Sequence, residues 1–116
     1  MLMNMKDILK VAKENRFAIP AFNISDWSMF IGIMDLCEET NSPVIIEIHP
    51  DELHFTGPDF VAGVRERALK SPVPVCIHLS GTPDAAARQE LSQWITEELG
   101  ISKENQLWTE ANSARN

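Results

Sequence analysis

Along the first hundred positions, apolar and polar residues switch between a helical and an extended rhythm. The first helical stretch follows Asn4, a good capping side chain, and runs from about Met5 to Asn15 with Ile8, Leu9, Val11 and Ala12 as its apolar stripe. Phe17 to Phe22 is a short apolar run bounded by Arg16 and Asn23, which predicts a buried strand. Pro20 has no backbone N–H to give, so it belongs at an edge or irregular point of any sheet. Ser25 or Asp26 caps a second helix to about Thr40, with Trp27, Phe30, Ile31, Met34 and Cys37 facing the core. Asn41-Ser42-Pro43 ends it, because the residue before a proline is pushed out of the helical region. Val44-Ile45-Ile46-Glu47-Ile48 is β-branched and nearly continuous, the clearest strand of the chain.

Gly57-Pro58-Asp59 breaks the chain and opens a third helix, about Asp59 to Lys70, with Phe60, Val61, Val64 and Ala68 on its inner side. Ser71-Pro72 ends that helix, and Val73 to Ile77 forms a third apolar strand that delivers His78 to a loop. Thr82-Pro83-Asp84 caps a fourth helix, with Ala87, Leu91, Trp94, Ile95 and Leu99 on one face and Gly100 at its end. Beyond Gly100 the chain turns polar. Strands that alternate with amphipathic helices imply an α/β fold with parallel strands and right-handed crossovers. A complete (β/α)8 barrel takes ~250 residues. About three strands are present here, which leaves a small open sheet, a partial TIM barrel, or a fragment that needs a partner.

The 116 residues suffice for one modest core. A net charge of −7 with scattered Lys and Arg argues against a nucleic-acid surface. No run approaches the ~20 apolar residues of a membrane span, and the first residues lack the pattern of a secretory signal. Cys37 and Cys76 sit inside apolar patterns, as buried free thiols do. Together these features predict a cytoplasmic protein.

In parallel α/β folds, chemistry gathers at the C-terminal ends of the strands. Those positions here are Asn23, the stretch from Glu47 to Glu52, and His78 with Ser80. Asn23 is either a substrate-orienting amide or a turn residue that starts a helix. Glu47 and His49 are two apart, so on an extended strand they share a face and can bind a metal or orient a substrate. The alternative is a solvated loop after a buried strand. His78 is the sharpest candidate, as a metal ligand or as a structural histidine, although one imidazole cannot hold a metal. Ser80-Gly81-Thr82-Pro83-Asp84 is a turn entering a helix N-terminus, where backbone N–H groups favour phosphate.

Four segments then stand together in order and spacing: residues 5–9 (Met-Lys-Asp-Ile-Leu), 18–23 (Ala-Ile-Pro-Ala-Phe-Asn), 42–46 (Ser-Pro-Val-Ile-Ile) and 73–79 (Val-Pro-Val-Cys-Ile-His-Leu). As a set, residues 1–79 resemble the N-terminal part of class II, zinc-dependent ketose-bisphosphate aldolases of the fructose- and tagatose-bisphosphate type. The resemblance implies a TIM barrel and a phosphorylated sugar substrate. It also implies reversible aldol cleavage to dihydroxyacetone phosphate and an aldehyde, with zinc as cofactor. It makes Asn23 a substrate contact and places His49 where the family has a small polar one.

The family continues its third strand as His-x-Asp-His, with a proton-transferring aspartate and a zinc-binding histidine. Here His78-Leu79 is followed by Ser80-Gly81, and both functional residues are missing. Residues 80–84 instead look like the late phosphate loop of the same family, with Ser80 and Gly81 as substrate contacts. Residues 99–103 and 104–111 look like the segment after that loop. The chain thus reads as two pieces, 1–79 from the early barrel and 80–116 from the late barrel, joined near His78 by an internal deletion. His78 then stands as the one expected zinc ligand. The expected function is an aldolase relative that is inactive as it stands. The alternative is an accessory module that forms homo-oligomers or associates with a full-length aldolase.

Overall fold

The structure, a computed structural model, describes residues 1–80 together with Gln89, Ser92, Gln93, Thr96 and Glu97. The order of elements is α1 (Met5–Asn15), β1 (Ala21–Asn23), α2 (Trp27–Glu39), β2 (Val44–Ile48), α3 (Pro50–Lys70) and β3 (Val75–Leu79). The three strands form one parallel sheet in the order β1-β2-β3. This is the open α/β arrangement the sequence predicts.

Local signals set most boundaries. Asn4 Oδ1 accepts from the Asp7 N–H at 2.8 Å and starts α1, and Asp26 Oδ1 accepts from the Met29 N–H at 2.8 Å and starts α2. Arg16 ends α1 in the left-handed region at φ 57°, while the Phe17 N–H reaches back to the Ala12 carbonyl at 3.1 Å.

Three expectations are corrected. The third strand runs Val75–Leu79 instead of Val73–Ile77, so His78 is a ladder residue of the strand and not part of the loop after it. The expected strand at 17–22 shrinks to Ala21–Asn23, and all three residues are exposed rather than buried. β1 is an edge strand, and Pro20 just before it contributes only its carbonyl, which accepts from the Ile45 N–H at 2.9 Å. The third helix begins at Pro50 instead of Asp59. The Gly57-Pro58 break survives as a kink inside it, with Gly57 at φ 78° and ψ 178°, a conformation essentially reserved for glycine. At the expected fourth helix, the described positions Gln89, Ser92, Gln93, Thr96 and Glu97 are helical. The rest of that expectation lies outside the described residues.

Alternation along the strands divides the sheet into two faces. Val44, Ile46, Ile48 and Val75 join Phe30, Met34 and Cys37 of α2 and Leu53, Val61, Val64 and Ala68 of α3 in the larger core. On the opposite face, Ile45 and Cys76 pack with Ile8 of α1, flanked by Met3, Met5 and Ile19. The outer helices are also tied together by charge. Arg67 Nη2 donates to Glu38 Oε2 at 2.8 Å and to Asp35 Oδ1 at 3.4 Å, and its Nη1 donates to Glu38 Oε1.

Candidate functional site

Register brings the candidate residues together. Ala21 pairs with Ile45 and Ile45 with Cys76, so these three form one row across the sheet. Two residues further along, Asn23 pairs with Glu47 and Glu47 with His78, which makes a second row on the same face. The first row is small or apolar, with its Ile45 and Cys76 under Ile8 of α1 and its Ala21 exposed; the second is polar and lies at the C-terminal ends of the strands. Main-chain bonds fix those ends. The Ile24 N–H donates to the Glu47 carbonyl at 3.0 Å and the Ser80 N–H to the Ile48 carbonyl at 3.1 Å.

Within the polar row, His78 Nδ1 lies 3.3 Å from Glu47 Oε1. Their side chains are only 15% and 22% exposed, so water screens the contact incompletely. Ser80 Oγ donates to Asn23 Oδ1 at 3.4 Å and links the loop after β3 back to the end of β1. Four candidates therefore meet at one place: Asn23, Glu47, His78 and Ser80. Gly81 lies outside the described residues.

His49 is placed differently. The proposed Glu47–His49 pairing on one strand face does not form, because the strand ends at Ile48 and His49 caps α3. Its Nδ1 accepts from the Asp51 N–H at 3.1 Å. The same nitrogen is 3.6 Å from Asp51 Oδ2, a contact that becomes an ion pair only when the ring is protonated. The two roles exclude each other at one nitrogen, and the capping bond has the better geometry. Pro50 at the first helical position with Asp51 and Glu52 in the first turn is a helix-start signal. That signal, and not a cluster of ligands, explains this run of charge.

The Glu47–His78 pair is the feature that sequence reasoning missed. The partners lie 31 residues apart. Only the register of β2 against β3 reveals them. Cys76 sits one step below His78 on the same face, and burial pushes its thiol up to about 11, so it stays protonated at neutral pH. Burial and the nearby Glu38 also raise the Cys37 thiol.

A catalytic zinc takes about three protein ligands. Among the described residues no three His, Cys, Asp or Glu side chains come together in a way that could hold a metal ion. Glu47 and His78 offer two donors at the polar row, His49 and His54 belong to α3 and its start and join no group of three, and residues 81–116 contain no histidine or cysteine. Among the described residues, the donors do not fit a zinc centre.

Cationic groups are also distant from the row. The Lys and Arg residues among those described are Lys6, Lys10, Lys13 and Arg16, at α1, and Arg65, Arg67 and Lys70, in the last turns of α3 leading into β3. None lies at the C-terminal ends of the strands.

Comparison with known proteins agrees with this architecture. The family model for class-II fructose-bisphosphate aldolase matches residues 3–100. A fructose-bisphosphate aldolase of Stutzerimonas stutzeri is 31% identical over 91 residues, covering 75% of this chain and 26% of that protein. Fructose-bisphosphate aldolase class 2 of Synechocystis sp. is 32% identical over 79 residues, covering 66% of this chain and 22% of the relative. Among solved structures, the YdjI aldolase of Escherichia coli K12 superposes with a TM-score of 0.69 at 28% identity, covering 78% of this chain and 36% of that one. A putative fructose-1,6-bisphosphate aldolase of Coccidioides immitis, 22% identical, shares the fold with a TM-score of 0.70 and is covered over 35% of its length. The chain thus spans about a quarter of the length of these curated relatives, and its open three-stranded sheet corresponds to part of their barrel. With the family model matched over most of its length, the chain belongs to the class-II fructose-bisphosphate aldolase family.

Proposed function

We propose that this chain carries the sugar-contacting front of an aldolase-type barrel and does not cleave ketose bisphosphates by itself. The observation that carries this reading is the polar row at the strand ends. Asn23, Glu47, His78 and Ser80 converge there, yet they offer hydrogen bonds and no complete reaction centre.

Aldol cleavage needs a group to move the proton and a way to stabilise the charge that develops on the carbonyl oxygen. Zinc supplies that stabilisation in the family when it is bound; the two donors that the described strand ends bring together are too few to seat it. The first position of the family's His-x-Asp-His run is present as His78, while Ser80 and Gly81 occupy the places of its aspartate and second histidine. The phosphates of a bisphosphate also lack a cation among the described strand ends. Their binding falls to the turn at Ser80 and Gly81 and to the residues after it. A deletion that joined an early strand to a late phosphate loop accounts for all three shortfalls together.

The test is cleavage of fructose 1,6-bisphosphate by the purified chain with added zinc, read through a coupled assay for dihydroxyacetone phosphate. The expected outcome is no turnover above the rate without protein. Zinc-dependent cleavage that disappears in His78→Ala would overturn the reading.

A second role has support in the exposed surface. β1 is an edge strand with open backbone groups, and Leu36 and Phe55 stand largely in solvent. An accessory module that pairs with a full-length aldolase would cover such features. Mixing the chain with a family aldolase and measuring mass by light scattering tests this, and separate elution of the two proteins would remove it.

A further inference from the structure

We propose that Glu47 is a positioning residue. Its carboxylate holds the neutral His78 ring with the proton on Nδ1, and so leaves Nε2 as a hydrogen-bond acceptor for a hydroxyl of a ligand at the strand ends. An ionised carboxylate can only accept a hydrogen bond, so at the 3.3 Å contact Nδ1 must be the donor. A neutral imidazole carries one proton, and placing it on Nδ1 removes it from Nε2. Among the described residues, Nε2 of His78 has no hydrogen-bond partner.

The surroundings support the assignment. The two residues are register partners on neighbouring parallel strands, so they are held at the same height on one face. Asn23 and Ser80, the other polar members of the row, bond to each other and do not compete for the ring. Below the pair, the Cys76 thiol keeps its proton and adds no second charge.

The proposal rests on the row being the binding site described above, but its test needs no turnover. Long-range ¹H–¹⁵N correlation spectra of the ¹⁵N-labelled intact chain are recorded at about pH 8, where an ordinary imidazole is neutral. The His78 ring is assigned by the signals that vanish in His78→Gln. The expected result is a protonated Nδ1 and an unprotonated Nε2, favoured by about tenfold or more, as a bond to a charged group implies. In Glu47→Gln that preference should fall to parity or invert, because an amide can also donate to Nδ1. Glu47→Asp, which keeps the carboxylate, should restore it in part. A wild-type ring protonated at Nε2 overturns the proposal even if Glu47→Gln fails to fold. So does an unchanged tenfold preference in a folded Glu47→Gln. Either result leaves the aldolase reading intact, and absence of cleavage leaves the tautomer result standing.

Discussion

Val44, Ile46 and Ile48 project to one side of β2 while Ile45 and Glu47 project to the other, and the two sides are finished differently. The outer side meets two helices along its length and is dry from end to end. The inner side is apolar only at its lower row, under Ile8, and polar at its upper row. The outer face therefore holds the fold together, and the inner face gives up apolar packing for a hydrogen-bonded polar row as it nears the strand ends. In a whole barrel the inner side would be filled by strands from across the barrel. Here α1 provides the main cover for its lower row.

This contrast is breakable by measurement. Ile46→Ala, at a fully buried outer position, should lower the unfolding free energy by about 3 to 4 kcal/mol. Ile45→Ala, under a single helix, should cost about 2 kcal/mol. Urea unfolding followed by tryptophan fluorescence measures both, and equal losses would erase the distinction between the faces. Gly57→Ala should cost about 1 to 3 kcal/mol, because alanine at φ 78° and ψ 178° strains the joint within the outer helix α3. A loss below that range would show that the kink can relax and that the outer layer is less rigid than the packing implies.

Acid sharpens the comparison further. The bond from Arg67 holds the Glu38 carboxyl below the usual carboxylate range, and burial opposes this in part. The folded state thus binds this proton less readily than the unfolded chain does. The resulting stability is full above the ordinary carboxylate pKa and is lost as pH falls through the lowered one. Urea midpoints should fall between about pH 5 and pH 3, and this fall should be shallower in Arg67→Met. An unchanged slope would mean that the clamp between α2 and α3 contributes nothing to pH dependence. The smallest effect belongs to the inner layer. Arg16→Gly should stabilise by about 0.5 kcal/mol, since relief of left-handed strain is partly offset by a freer unfolded chain. A loss of stability instead would show that the Arg16 side chain adds packing to α1.

The sequence made α1 and β2 readable because each carries its own punctuation. Asn4 caps at the expected place, and Ser42-Pro43 separates α2 from a β-branched run. Residues 50–56 are less legible, because Pro50, Asp51 and Glu52 carry both the residue types of a ligand cluster and the signal of a helix start, and only the second is realised as α3. The helical stripe on α2 also gave the right side but not the depth. Phe30, Met34 and Cys37 are buried, whereas Trp27 at the first turn is half exposed, resting on Phe30 and Phe60. Asn23, His78 and Ser80 were visible as strand-end residues. The Glu47–His78 contact was not, because periodicity assigns a face within one strand and says nothing of its height against the next.

The cover that α1 lays over Ile45 and Cys76 has a consequence for the layout of the inner face. It covers the lower end of the inner face with packed side chains. Among the described residues, hydrocarbon closes over the start of the inner face, while Glu47 and His78 lie beyond that cover, at the other end of the strands beside Asn23 and Ser80.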